Sequence, residues 1–330
     1  MHPSVTTPIS TFLIPCQKLV AGRRNSLIPS PKAWCDASWR GDELSMTARP
    51  VALVTGASRG IGRAIAIALA ESGHDLVLTG RTVVEGSAVN PATGHVLPGS
   101  LRSTAEAVER RGGRAHCVAA DILDLDDVDS SFERCLAAAG RVDVLVNNAV
   151  YVGPGNDTLL VDGSPDDVVR RVTGNLTSPI LLTRAFLRHV LATGRAEGAA
   201  IIGVTSDAGQ RTPDSPAGRG GWSLVYAASK AGFHRIVDMV TVEHPSIRAI
   251  NVNPGFVATE RVLDSGVGLE WVARHGVPPS VIGRAVAAIL ADPDLPNGGY
   301  VHAQPYLRRH LGDHEYEALL DAAKAGDDVH

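Results

Sequence analysis

Tyr226 and Lys230 are the residues of this 330-residue chain whose types and spacing point most directly to chemistry. On a helix, residues four apart lie on the same face, one turn from each other. The chain contains 27 arginines, but Lys230 is the only lysine between Arg49 and Arg309. An ammonium is a compact point charge whose pKa shifts readily, unlike that of a guanidinium. A titratable phenol beside such a cation is a candidate proton-transfer centre.

A glycine-rich turn supplies the second candidate site. Val51–Thr55 is a continuous apolar run, typical of a strand buried on both faces. The motif Thr55-Gly56-x-x-x-Gly60-Ile61-Gly62 follows this strand and opens a helix. Glycines let the backbone turn tightly and approach a pyrophosphate, which the helix N-terminus then stabilises. An ordinary glycine-rich turn would show the same residues, but the context and spacing favour a dinucleotide site.

The elements that must position these residues alternate between strand and helix. Further short apolar strands are predicted at Leu76–Thr79, Ala115–Ala120, Val142–Val146, Ala199–Val204, Ile247–Val252 and Tyr300–His302. Helices are predicted between them, including one that begins at Ser164-Pro165 and continues to His189. This alternation predicts an α/β fold with a doubly wound, mostly parallel sheet and helices on both faces. Ligands bind such sheets beyond the carboxyl ends of the strands.

Composition excludes several other classes of protein. The net charge of −4 and the pI near 6.3 give no electrostatic case for nucleic acid or an anionic membrane. No apolar run approaches the roughly 18 residues of a spanning helix. The four cysteines show neither metal-ligand spacing nor a secreted disulfide pattern, so we expect no metal site and a cytoplasmic location.

The chain divides by composition into three parts. Residues 1–45 are rich in proline and lack a sustained hydrophobic period, so we expect a flexible extension. Residues 46–310 hold all the predicted strands and form the expected Rossmann domain. Residues 311–330 are expected to be a C-terminal tail.

Four motifs in order resemble the short-chain dehydrogenase/reductase family. They are the glycine-rich turn, Asn147-Asn148-Ala149, Tyr226-x-x-x-Lys230 and Pro254-Gly255, and the similarity extends from about Pro50 to Tyr300. Each motif is modest alone, but their joint order is specific. The resemblance implies a Rossmann sheet of about seven strands. It also implies an NAD(P)-dependent oxidoreductase that transfers a hydride between nicotinamide and a carbonyl or alcohol, as a 3-oxoacyl reductase or a ketone reductase does.

The resemblance implies four catalytic residues. Tyr226 would be the acid/base, Lys230 its partner, Ser206 the substrate-positioning group and Asn175 a polar group that holds water in the site. Free tyrosine titrates near ~10, too high to remove an alcohol proton efficiently at neutral pH. An ammonium about 6 Å away at an effective dielectric of about 20 would favour the phenolate by roughly 3 kcal/mol, or about two pKa units.

The cofactor site follows from the same resemblance. Its implied residues are Gly56, Ser58, Arg59, Gly60, Ile61, Gly62, Arg81, Asp121, Ile122, Asn148, Ala149, Tyr226, Lys230, Pro254, Gly255, Val257 and Thr259. An acid at the end of the second strand would hold the 2′-hydroxyl of NAD, whereas an arginine suits a 2′-phosphate. Arg81 occupies that position and no acid lies between Thr79 and Val84, so we predict NADP, with NAD as the alternative.

Two alternatives stay open at this point. Epimerase or dehydratase relatives with the same fold usually carry glycine at the fifth place of the turn motif, where this chain has Arg59. A non-catalytic NADP-binding or sensing protein typically loses the tyrosine, lysine or serine, and all are present here.

The expected partner is a small carbonyl or alcohol, and the resemblance implies a homodimer or homotetramer through the helices bearing Asn175 and Tyr226. Val150 stands where the family usually has glycine, beside the expected nicotinamide site, so the resemblance does not identify the substrate.

Overall fold

The computed structural model describes residues 49–90, 93–265 and 270–325. The predicted flexible extension at residues 1–45 lies outside these ranges. Within them, no helix is both long and apolar enough to cross a membrane.

A seven-stranded parallel sheet forms the centre of the fold, in the order β3-β2-β1-β4-β5-β6-β7. The pairing is parallel throughout the described sheet, as the predicted alternation of strand and helix requires. The sequence order of the strands across the sheet reverses between β1 and β4. Sheets of this kind bind ligands at such a reversal. The strands are β1 Val51–Thr55, β2 Asp75–Gly80, β3 Ala115–Ala119, β4 Val144–Asn147, β5 Ala200–Val204, β6 Arg248–Asn253 and β7 Tyr300–His302.

Helices cover both faces of the sheet because successive strand residues point to opposite sides. In β1, Ala52 and Val54 join the apolar cluster beneath α1, α2, α9, α10 and α11, whereas Val51 and Leu53 join the cluster beneath α3, α5 and α6. The helices are α1 Gly60–Glu71, α2 Leu101–Glu109, α3 Leu125–Ala139, α4 Pro165–Val172, α5 Ser178–Ala192, α6 Leu224–Glu243, α7 Glu260–Asp264, α8 Glu270–His275, α9 Pro279–Ala291, α10 Ala303–Leu311 and α11 Asp313–Ala325. The predicted α/β architecture is confirmed.

One long predicted helix is divided in the structure. The segment expected to run unbroken to His189 consists of α4, a π-helical turn at Thr173–Thr177, and α5. Asn175 lies in that turn and is only 2% exposed. A π turn accommodates one extra residue and occurs often at functional sites. The turn therefore aims the Asn175 side chain inward.

The segment expected to be a C-terminal tail from residue 311 contains a helix, α11. The structure continues with α11, whose Tyr316 is 4% exposed and packs into the same apolar cluster as α9 and α10. The amphipathic spacing of Tyr316, Leu319 and Leu320 explains this packing, because residues three or four apart share a helix face.

Candidate active site

The glycine-rich turn has the geometry of a close backbone approach. Gly56 and Gly60 have φ values of +66° and +56°, which L side chains rarely adopt. A Cβ on Gly62 would lie 2.2 Å from the carbonyl oxygen of Gly56 and 2.5 Å from Nδ2 of Asn148. Glycine at position 62 therefore lets α1 begin in close contact with the Gly56 carbonyl and Asn148. Gly56, Gly60 and Gly62 also line the cleft at the N-terminus of α1, a position that suits a dinucleotide phosphate.

Asn148 and Ala149 are fixed to the turn through Thr55. The Thr55 hydroxyl accepts from the amides of both residues at 2.9 Å and donates to Val146 O at 3.2 Å. Asn148 Nδ2 donates to Thr55 O at 2.8 Å. The carboxyl ends of β1 and β4 are therefore one rigid unit. Thr55 was not among the predicted site residues, although a hydroxyl at the end of an apolar strand was a usable signal.

A cleft of about 360 Å³ opens beside this unit, at the ends of β1, β2, β3 and β4 and beneath α7. Twelve of the predicted cofactor residues line it: Gly56, Ser58, Arg59, Gly60, Ile61, Gly62, Arg81, Asp121, Ile122, Asn148, Ala149 and Thr259. The structure therefore brings together most of the predicted set. No cluster of three or more potential metal ligands occurs in residues 49–90, 93–265 and 270–325.

The other predicted cofactor residues lie outside the lining of this cleft. Gly255 has a φ of +70°, and a Cβ there would lie 2.7 Å from Nε2 of Gln304. Val257 is 6% exposed and its side chain belongs to the apolar core, so only its backbone can face a ligand. Pro254 is buried as well. Tyr226 and Lys230 lie on α6.

Three guanidinium groups line the cleft. Arg59 donates to the carbonyl oxygens of Pro98 at 2.8 Å and Gly99 at 2.7 Å, while Arg81 is largely exposed with Asp121 at 3.9 Å. Arg261, on α7, donates to Val152 O at 3.4 Å. Burial and the like charges of Arg59 and Arg81 lower the pKa of Arg261. Arg261 was missed at the sequence level because nothing distinguishes it from a surface arginine.

A carboxylate shares the cleft with these cations. Glu260 Oε1 accepts from the Gly60 amide at 3.3 Å, at the N-terminus of α1, and its Oε2 is buried without a hydrogen-bond partner. A helix N-terminus attracts anions. Glu260 therefore sits where an anionic ligand group is favoured, and its charge acts on Arg59 and Arg63.

Asp264 fastens the long loop after β2 to α7. Its carboxylate accepts from Asn90 Nδ2 and Thr93 Oγ1, each at 2.6 Å, and contacts His95 Nδ1 at 2.8 Å. The hydrogen bond from Thr93, then those from His95 and Asn90, lower the pKa of Asp264 to about 2. This contact ties α7, which carries the cleft residue Arg261, to the loop after β2.

Tyr226 and Lys230 begin α6, where the Ser223 hydroxyl caps the helix by accepting from the Tyr226 amide at 3.3 Å. Lys230 is buried, and its Nζ donates to Val204 O at 3.1 Å, at the end of β5. Its Nζ also lies 4.8 Å from the centre of the Phe233 ring. Burial lowers the pKa of Lys230 to about 8, so the site contains a charge that can be lost near neutral pH.

The Tyr226 phenol is partly buried, and this burial raises its pKa. The Ser206 side chain and the charge of Arg171 act in the opposite direction. Ser206 follows β5, and its hydroxyl accepts from the Ala208 amide at 3.2 Å. The predicted residues Ser206, Tyr226 and Lys230 therefore meet at the end of β5.

Asn175 connects this group to the cleft. Its Oδ1 accepts from the Tyr151 amide at 2.7 Å, and its Nδ2 lies 3.4 Å from the Ser229 hydroxyl on α6. Tyr151 lines the cleft. The π turn thus joins the loop after β4 to the helix that carries Tyr226 and Lys230.

Comparison with known proteins gives consistent matches. A family model described as short chain dehydrogenase matches residues 50–266. The chain is 35% identical over 250 residues to a 3-oxoacyl-[acyl-carrier-protein] reductase of Synechocystis sp., covering 74% of this chain and 90% of that protein. It is 29% identical over 221 residues to a (−)-trans-carveol dehydrogenase of Rhodococcus erythropolis, covering 66% and 74% of the two chains.

Solved structures agree. A 3-oxoacyl-[acyl-carrier protein] reductase from Brucella melitensis in complex with NAD aligns with a TM-score of 0.62 at 25% identity, over 78% of this chain and 96% of that one. A metagenomic short-chain oxidoreductase in complex with NADP aligns with a TM-score of 0.56 at 29% identity, over 77% and 96%. The chain therefore belongs to the short-chain dehydrogenase/reductase family of NAD(P)-dependent oxidoreductases.

Proposed function

We propose that this protein is an NADP-dependent reductase or dehydrogenase of a small carbonyl/alcohol pair, with Tyr226, Lys230, Ser206 and Asn175 as its catalytic group. The observation that carries the proposal is the position of Lys230. Its buried Nζ is held at the carboxyl end of β5, one helical turn after Tyr226 and beside the strand end that leads to Ser206. A buried cation beside a phenol suits acid/base chemistry.

The roles follow from the chemistry of each group. In carbonyl reduction the Tyr226 phenol donates its proton to the substrate oxygen, and in alcohol oxidation the phenolate accepts that proton. The bound nicotinamide supplies or accepts the hydride. Ser206 positions the substrate oxygen by a hydrogen bond. Lys230, protonated at neutral pH because its pKa is about 8, favours the phenolate electrostatically.

The charge of the cleft supports NADP as the preferred cofactor. Arg59, Arg81 and Arg261 line the same cleft, and the group acting most strongly on Arg261, after burial, is another arginine. Clustered guanidinium groups are costly without an anion, and a 2′-phosphate together with a diphosphate would compensate them. The acid near Arg81 is Asp121, two residues after β3, at 3.9 Å, and no acid stands at the end of β2.

Substitution of the cleft arginines tests this preference. Arg81→Ala is expected to weaken NADPH binding by ~10–100-fold, the value of a charge-assisted hydrogen bond of about 1.5–3 kcal/mol, and NADH binding by less than about threefold. Arg261→Ala is expected to weaken both cofactors. Binding is measured by nucleotide fluorescence titration, with Arg110→Ala, at the far end of α2, as the control. Equal losses of NADPH and NADH affinity in Arg81→Ala would contradict the predicted NADP preference.

The substrate class is tested with a panel of 3-oxoacyl thioesters, ketones, cyclic terpenoid alcohols and simple secondary alcohols. We expect turnover of at least one carbonyl/alcohol pair, followed by nucleotide absorbance in both directions. 3-Oxoacyl thioesters come first because two of the relatives described above carry that name. NADPH binding without turnover of any pair would favour the non-catalytic alternative.

The proposal includes a homodimer or homotetramer through α4, α5 and α6. Exposed apolar side chains on these helices support it, among them Val169 on α4, Ile180 on α5 and Val242 on α6. Exposed apolar surface of this kind marks protein interfaces. Light scattering on the eluting protein is expected to give twice or four times the mass of one chain.

A further inference from the structure

Arg171 is an arginine whose side chain is almost completely buried. It is 2% exposed and ranks first by volume among the fully buried side chains of the described residues. It lies on α4 and forms no ion pair within 4.0 Å with a carboxylate of the described residues, although the charge of Asp167, four residues earlier, acts on it from farther away. A buried charge is costly unless hydrogen bonds satisfy it. The hydrogen bonds of Arg171 must therefore offset the cost of burying its charge.

Those contacts are backbone carbonyls of the loop that follows β4. Arg171 donates from NH2 to Pro154 O at 2.7 Å and Gly153 O at 3.1 Å, and from NH1 to Tyr151 O at 3.5 Å. Its guanidinium carbon lies 5.6 Å from the centre of the Tyr151 ring. A planar fork of donors can hold several carbonyls at once, which an ammonium cannot do in the same geometry.

Asn175, in the π-helical turn that follows α4, holds the same loop at a second position. Asn175, four residues after Arg171, accepts from the Tyr151 amide at 2.7 Å. Arg171 therefore binds the carbonyl of Tyr151, and Asn175 binds its amide. Tyr151 and Val152 form part of the wall of the cofactor cleft, so this pair of contacts sets the position of that wall.

Arg171 also faces the helix that carries Tyr226. It lines a small cavity together with Ser223, Leu224 and Val225, the residues directly before Tyr226. Burial raises the pKa of Tyr226, and the charge of Arg171 acts against this effect. Lys230 has a pKa of about 8, and burial raises the pKa of the Tyr226 phenol, so the lysine charge is lost at a lower pH than the phenol proton. An arginine stays charged over the whole of this range.

We propose that Arg171 is a positioning residue with two tasks: it holds the 151–154 loop as the wall of the cofactor cleft, and it places a permanent positive charge beside the first turn of α6, which carries Tyr226. This inference rests on the proposed role of Tyr226. In the motif Tyr-x-x-x-Lys, the lysine alone is expected to stabilise the phenolate by its charge. Here a buried arginine would contribute part of that stabilisation.

Two variants separate the tasks. Arg171→Gln removes both the charge and the planar set of guanidinium donors. Arg171→Lys keeps the charge but loses that set of donors. Phenolate formation is followed by ultraviolet difference absorbance in stopped-flow pH jumps on the cofactor-free protein. The Tyr226 contribution is isolated by subtracting the same record for Tyr226→Phe in each background.

We expect the ionisation midpoint of Tyr226 to rise by about one pH unit in Arg171→Gln, the order of one partly screened opposite charge, and to stay near the wild-type value in Arg171→Lys. An unchanged midpoint in Arg171→Gln would overturn the electrostatic task. A merely structural arginine would lower the melting temperature without moving this midpoint.

Amide hydrogen exchange measures the other task. In Arg171→Lys we expect faster exchange of the Tyr151 and Val152 amides, with exchange on β4 and β5 unchanged. Wild-type exchange at both amides would overturn the positioning of the loop. If Arg171→Gln fails to fold, Arg171→Lys alone still decides this task, and Arg171→Met replaces Arg171→Gln in the titration. Neither measurement uses turnover, so a failed substrate panel leaves the result interpretable.

Discussion

Tyr226→Phe is expected to lose turnover by about 10²–10⁴-fold, the usual contribution of a general acid/base group, while NADPH affinity changes by less than about threefold. The substitution removes one hydroxyl and keeps the ring. The start of α6 stays intact, because Ser223 caps the helix through the backbone of residue 226 and not through its side chain. Single-turnover and steady-state assays with the best substrate of the panel measure the loss.

Tyr316→Phe is the matched control. Tyr316 is 4% exposed on α11 and packs in the apolar cluster away from the cleft, so the same loss of a hydroxyl there should leave turnover unchanged. A Tyr226→Phe enzyme that retains turnover within a few-fold of wild type would remove Tyr226 from the catalytic group.

The pH dependence of the two directions follows from the same residue. Reduction needs the protonated phenol, and burial raises the pKa of Tyr226, so the acid form persists through neutral pH. The reduction rate should therefore be flat near neutral pH and be lost as pH rises through that pKa. Oxidation needs the phenolate and should increase over the same interval. Opposite slopes would contradict the assignment.

Gly62→Ala is expected to have the largest effect on the cofactor site. The added Cβ would lie 2.2 Å from Gly56 O and 2.5 Å from Asn148 Nδ2, and neither the backbone carbonyl nor the hydrogen-bonded amide can move freely. Overpacking of this kind costs about 1–3 kcal/mol or more. The turn would also open, so NADPH affinity should fall by more than tenfold.

Urea unfolding and nucleotide titration measure these two effects. Gly163→Ala serves as the control, because its Cβ would meet its nearest neighbour at 3.4 Å, an ordinary contact. If Gly62→Ala binds NADPH with wild-type affinity, the phosphates do not approach this turn.

The parts of the fold that could be predicted are those determined locally. Continuous apolar runs marked the strands because a parallel strand is buried on both faces. The glycine spacing marked the turn because only glycine tolerates positive φ and the 2.2 Å approach at Gly62. The π turn at Thr173–Thr177 was not foreseen, since its residues fit an unbroken helix equally well.

The electrostatics of the site could not be read from the motif. The spacing of Tyr226 and Lys230 indicated an ammonium near the phenol but not the surroundings of that ammonium. Lys230 meets a backbone carbonyl and an aromatic ring, and burial lowers its pKa to about 8. Arg171 and Arg261 look like surface arginines in the sequence. Their roles depend on contacts with residues 151–154, which lie 17 or more positions away in one case and 109 in the other.

Transfer of deuterium from C4-deuterated NADPH to the substrate tests the central claim most directly. Both C4 diastereomers of the labelled cofactor are incubated with the best carbonyl substrate, and the product is examined by mass spectrometry. We expect one deuterium on the new carbinol carbon from one diastereomer only. We also expect Tyr226→Phe to form the labelled product at least about 10²-fold more slowly. Product without deuterium from either diastereomer, or formed at the wild-type rate by Tyr226→Phe, would contradict it.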